Sequence, residues 1–174
     1  MSAIHTIHAE LRGLLGSVSL NTVVIDSSSP DLVVLKIGED SWMNTLVSTD
    51  DSHALLNELA YGDVLLGGLG LGGDILLLRD NPNVDNIHVV ESDPDVIELV
   101  WSKVSDDYPH LTIEQDTLSH FAATTQLRFD TIWPDIFVQP MIDIPEEQAE
   151  LISLLTPLLR TGGKILFWQD QEEY

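Results

Sequence analysis

Apolar residues at Ile4, Ile7, Leu11, Leu14, Leu15 and Val18 recur at the three- and four-residue spacing of one helical face. The spacing predicts an amphipathic helix ending near Gly16. Three short runs rich in β-branched residues follow, at 23–25, 32–37 and 42–47, separated by the turn-forming SSSPD and GED stretches, and they predict a small meander. Asp51 stands where it would cap a helix carrying Ala54, Leu55, Leu56, Leu59 and Ala60. From Val64 the pattern changes to strand and helix in alternation. Strands are predicted at 64–66, 87–90, 111–113, 131–133 and 164–168. Helices are predicted from the glycine-rich stretch to about Arg79, at 94–103, around 119–124 and at 146–159. Such alternation implies right-handed crossovers and a parallel sheet with helices on both faces, an α/β fold whose ligands bind at the carboxyl ends of the strands.

With 174 residues, the chain suits one structural unit: an N-terminal helix and meander over 1–61 and a Rossmann-like domain over 62–174. The 44% apolar content, without a long polar tract, supports a packed core rather than disorder. No cysteine is present, which excludes disulfides, thiolate metal sites and cysteine nucleophiles. The N-terminus lacks a basic segment followed by an apolar one, so no secretory signal is expected. The most apolar window, 64–78, is interrupted by five glycines and Asp74 and is too short to span a bilayer. A cytoplasmic protein is the expectation.

Charge narrows the partners. Seven Lys and Arg stand against 29 Asp and Glu, a net charge of -22, and the basic residues are scattered from Arg12 to Lys164. Without a basic patch, nucleic acid is not an expected partner. The excess of acid would steer cations or basic proteins, or simply maintain solubility.

The chemistry concentrates in the stretch GGLGLGGD, residues 67–74. Gly68, Gly70 and Gly72 fit GxGxG, and Gly68, Gly70 and Gly73 fit GxGxxG. Both patterns describe a strand turning into a helix where a nucleotide can approach bare backbone and its N–H groups. The next strand, NIHVVE, ends in Glu91, whose carboxylate suits a pair of ribose hydroxyls; the competing reading is a solvated strand end. A third strand, LTIEQD, ends in Asp116, which suits an adenine amino group or caps the helix that follows. Only five strands follow Val64, fewer than the six over which a dinucleotide is usually spread, and this favours a mononucleoside cofactor.

These segments, GDVLLGGLGLGGDILLLRDNPNVDNIHVVESDPDVIELV, IEQD and FDTIWPD, taken in order, resemble class I S-adenosylmethionine-dependent methyltransferases. The nearest branch is the spermidine synthase-like one, and FDTIWPDIF is also similar to short methyltransferase-like proteins encoded by phages, which would place the chain in a host cytoplasm. The resemblance covers about residues 62–169. It implies S-adenosylmethionine as cofactor, with Gly68, Gly70 and Gly72 near its amino acid and ribose, Glu91 on the ribose, Asp116 on the adenine, and Ser92 and Thr117 flanking the adenine pocket. It also implies Asp135 at the mouth of the fourth strand, as the group that orients or deprotonates the acceptor. The competing reading of Asp135 is a turn cap.

The chain also departs from that branch. The loop acid that holds an amine substrate in aminopropyltransferases is Leu71 here, the acid three residues after Asp135 is Val138, and DSHALLNEL has no Tyr-His-Glu segment. A methyltransferase acting on a small molecule or protein is therefore the leading expectation, ahead of an aminopropyltransferase or a non-catalytic cofactor-binding protein. No metal site is expected, since His5, His8, His110 and His120 lack an acid or cysteine to complete a ligand set. Members of the fold usually continue past the fifth strand with a helix and a hairpin. The early end here suggests an exposed sheet edge and a homodimer.

Overall fold

A computed structural model describes residues 3–29, 32–45, 51–106, 108–136 and 145–167. The N-terminal amphipathic pattern forms helix α1 (Ala3–Leu15), which stops before Gly16 in a left-handed turn. Val18, two residues past the left-handed Gly16, opens strand β1 (Val18–Leu20). Strands β2 (Val23–Asp26), β3 (Val34–Ile37) and β4 (Asp40–Asn44) complete an antiparallel sheet in the order β1-β2-β3-β4. The expected residues 46 and 47 of the last run lie outside the described residues.

Helix α2 (Asp51–Leu59) leads into the parallel sheet. There β5 (Gly62–Gly67) is followed by α3 (Gly73–Leu78), β6 (Val84–Glu91), α4 (Pro94–Val104), β7 (Leu111–Gln115), α5 (Leu118–Thr124) and β8 (Phe129–Pro134). Helix α6 (Pro145–Leu155), a 3-10 turn (Thr156–Leu158) and β9 (Leu159–Ile165) finish the unit. The expected helix to 159 ends four residues early. Pro157 lacks the N–H that would continue the ladder, and the chain tightens into the 3-10 turn before extending. Trp168, expected to end that strand, lies outside the described residues.

The sheet order is β7-β6-β5-β8-β9, with every pairing parallel. The chain steps outward from β5 on one side and then returns to its other side at β8, so the carboxyl end of β5 sits at the reversal point where such sheets bind ligands. Val64, Leu65 and Leu66 of β5 are fully enclosed, as expected of a central strand covered on both faces. On one face Leu66, Ile75, Val100 and Val104 share a core with Leu11 of α1 and with Val23, Ile25 and Leu35 of the meander. On the other, Leu65, Ile132 and Phe129 pack against Phe121 of α5 and Leu155 of α6.

At the amino ends of the strands, Arg160 reaches from β9 to Asp63 (2.5 Å) and Asp130 (2.6 Å), and Asn86 donates to Asp63. Burial raises the Asp63 pKa, but the hydrogen bonds from Asn86 and Arg160 outweigh it and hold the carboxyl below its ordinary 3.8. Nearby, the Thr131 hydroxyl accepts from the Tyr61 N–H and donates to the Tyr61 carbonyl, fastening the entry to β5 onto β8.

His88 on β6 stacks on Phe121 (ring centroids 5.2 Å) and bonds Thr112 through Nδ1. Its burial lowers the imidazole pKa below 6.5, only partly opposed by Glu114. The folded state therefore resists a proton that the unfolded state accepts, and stability falls as pH drops from 6.5 toward the depressed value. Urea unfolding measured across pH 7 to 5 is expected to show this loss, and His88→Gln is expected to flatten it; an unchanged slope in the variant would assign it elsewhere.

Candidate functional site

The carboxyl ends of β5, β6, β7 and β8 open onto a cavity of about 250 Å³, at the small end for a small-molecule site. Its floor is the turn between β5 and α3. Gly68 there has φ +99°, and a Cβ would fall 2.6 Å from the Asp135 carbonyl oxygen, so the position demands glycine. Gly72 has φ +80° and precedes α3; a Cβ there would lie 2.7 Å from Val104 Cγ1. Gly72 therefore serves the packing of α3 on α4 and lies behind the cavity wall, whereas Gly68 and Gly70 form part of it.

The turn's N–H groups are largely taken. Gly68 donates to the Val90 carbonyl, Leu69 to Glu91 Oε2 (2.8 Å), Leu71 to Met43 Sδ (3.2 Å) and Gly72 to the Leu69 carbonyl. This corrects the expectation of a row of amides open to a ligand. Met43 arrives from β4 and also packs on Gly70, where a Cβ would overlap its sulfur.

Glu91 lines the cavity with both oxygens engaged, Oε2 by Leu69 and Oε1 by the Asp93 N–H (2.8 Å). It is not a solvated strand end. Asp93 then caps α4 by accepting from the Asp95 and Val96 N–H groups, with Pro94 in the first helical turn. Ser92, between them, faces the cavity.

Asp116 lines the cavity from the end of β7, its N–H bonded to the Glu91 carbonyl. Its Oδ2 accepts from His120 Nδ1 (2.6 Å) and its Oδ1 from the Thr117 N–H. The His120 hydrogen bond, aided by Thr117, holds the carboxyl below 3.8 despite some burial, so Asp116 is a charged acceptor at neutral pH. The cap of α5 is not Asp116 but Thr117, whose hydroxyl accepts from the His120 N–H; Thr117 lies outside the cavity wall.

Asp135 follows β8 and faces the same cavity, and its N–H folds back to the Trp133 carbonyl. Val138 lies outside the described residues. Leu71 is fully buried in the core, so the loop position that carries an acid in aminopropyltransferases contributes no wall here. What the sequence reading did not find is His53 of α2. It is buried, 3.4 Å from Asp74 Oδ1 at the start of α3, edge-on to Trp133, and it meets Asp135 in the cavity. In the sequence this histidine stands alone in DSHALLNEL, with no neighbouring motif to mark it. Trp42, Met43 and Asn44 of β4 also line the cavity, a contribution no local motif announces.

No protein-family model matches the chain, and no curated protein matches it significantly. Solved structures do. The N-methyltransferase NodS from Bradyrhizobium japonicum WM9 is 19% identical with a TM-score of 0.52, over 67% of this chain and 65% of that one. An rRNA methylase from Streptococcus thermophilus is 15% identical with a TM-score of 0.51, over 67% and 68%. The fold is the Rossmann-like methyltransferase fold. A spermidine synthase in complex with a transition-state analogue shares it at 23% identity and a TM-score of 0.50, and this chain spans only 45% of its length. Among the described residues no helix is long and apolar enough to cross a membrane.

Because Glu91 satisfies two amides, its removal harms the fold before any ligand is considered. Glu91→Ala is expected to cost about 1–3 kcal/mol in chemical denaturation of the ligand-free protein; wild-type stability would show that the two amides find water equally well.

Proposed function

We propose that this protein is an S-adenosylmethionine-dependent transferase of the methyltransferase type, acting on a small-molecule or protein acceptor. The observation that carries the reading is the convergence of Gly68, Glu91, Asp116 and Asp135 on one cavity, from the ends of four adjacent parallel strands. The residues fit the cofactor: a floor that tolerates no side chain at Gly68, a carboxylate for ribose, and a charged acceptor for an adenine amino group. The cofactor supplies an already activated sulfonium electrophile. The protein's share is then to hold, to orient and to remove a proton. Glu91 retains lone pairs on both oxygens beyond its two amide bonds. Asp135, at the mouth of β8, orients the acceptor's nucleophile and takes its proton.

One observation favours aminopropyl transfer as a second reading. Leu71 offers no charge, but Asp74, three residues on, brings a carboxylate into the cavity beside Asp135 and restores negative charge where a cationic amine would lie.

Calorimetry with S-adenosylmethionine, its decarboxylated form and NAD separates the readings. S-adenosylmethionine is expected to bind, and Glu91→Gln to weaken it about tenfold, or 1.4 kcal/mol. Preference for the decarboxylated form would move the assignment to aminopropyl transfer, and heat from NAD alone, or from none, would overturn both. Once an acceptor is found, Asp135→Asn is expected to keep cofactor affinity while turnover falls about 10²-fold or more; undiminished turnover would remove its role as base.

A further inference from the structure

The cavity holds a second constellation that the cofactor-binding residues do not use. His53 comes from α2, Asp74 from the first turn of α3 and Asp135 from the end of β8. One ligating atom from each lies within 4.8 Å of the other two. Three elements separated in sequence thus bring an imidazole and two carboxylates to one point on the cavity wall.

We propose that His53, Asp74 and Asp135 bind a divalent cation. Two ligands of one ion at about 2.1 Å stand at most about 4.2 Å apart, so the observed spacing closes onto an ion by small rotations of the side chains. A mixed nitrogen and oxygen set suits Mn²⁺, Fe²⁺ or Zn²⁺ better than Ca²⁺, which takes oxygen ligands throughout. Two carboxylates and an imidazole within that reach supply both the charge and the donor types that such an ion takes. The imidazole argues for a metal over an organic ammonium. Carboxylates alone serve an ammonium, whereas His53, with its side chain only 4% exposed, adds an imidazole nitrogen, the commonest protein ligand of such metals. Beside it, the Trp133 ring meets the imidazole edge-on and fixes its plane. If the transferase reading holds, Asp135 would give the ion one oxygen and keep the other for the acceptor's proton, and the ion would recruit an acceptor that presents oxygen to a metal.

Mn²⁺ is the probe, because free and bound ion differ in the electron paramagnetic resonance spectrum. Titration of the full chain without cofactor is expected to show one site, weakened at least about tenfold by Asp74→Asn and by His53→Gln. Glu146→Gln and Glu147→Gln, on α6, control for loose binding by a chain of net charge -22 and are expected to leave the site unchanged. In wild-type protein, Mn²⁺ is expected to broaden the His53 ring proton resonances before those of His110, a measurement that stands even where a variant fails to fold. No stoichiometric site, equal binding in all variants, or indiscriminate broadening would overturn the proposal. Because no cofactor is present, each of these results leaves the transferase reading to its own test.

Discussion

The carboxylate of Glu91 is the interaction around which the cavity is organised. One oxygen holds the turn after β5 through Leu69, and the other holds the turn into α4 through Asp93. Two turns at the ends of neighbouring strands, which would otherwise move independently, share one acceptor. A charged acceptor bonding two amides is stronger than a neutral one, and it stays aimed at the cavity because both bonds fix its direction. The backbone bonds from Gly68 to Val90 and from Asp116 to Glu91 extend the same lacing across three strands.

How much of this was legible in the sequence follows from how local each signal is. The alternation from Val64 onward announced the first four strands, since apolar runs and the turns between them are written within a few residues, whereas the fifth, expected at 164–168, begins at Leu159. Glu91 and Asp116 were legible because strand ends follow directly from strand placement. Spacing puts a residue near a site but does not say which way it faces: Thr117 caps α5 and Gly72 packs against Val104, and neither lines the cavity. His53, Asp74 and Met43 were invisible as a group, because their meeting depends on how α2 and β4 dock on the sheet, which no short window encodes.

The meander is thus more than a cover for the core. Its strand β4 brings a thioether onto the glycine turn, taking an amide and filling the space above Gly70. Part of the cavity wall is built by residues that precede the parallel sheet in the chain, so the cavity's shape depends on both halves. Among its acids Glu91 and Asp116 are held by named donors, and among the described residues no Lys or Arg lines it; Arg160 is engaged at the opposite end of the strands.

That placement of Arg160 and the strand order bear on how the molecule assembles. β5 lies at the centre of the sheet, yet its second neighbour, β8, lies far along the chain, with Asp63 and Asp130 separated by 67 residues. β6 can pair early through a short crossover, while one edge of this central strand waits for a long loop to close. High contact order slows such folding and leaves the open edge vulnerable to aggregation. The ionic contacts from β9, at the edge of the sheet, tie the central strand to β8 across that long separation, so the sheet's most distant pairing in sequence is also the one fastened by charge.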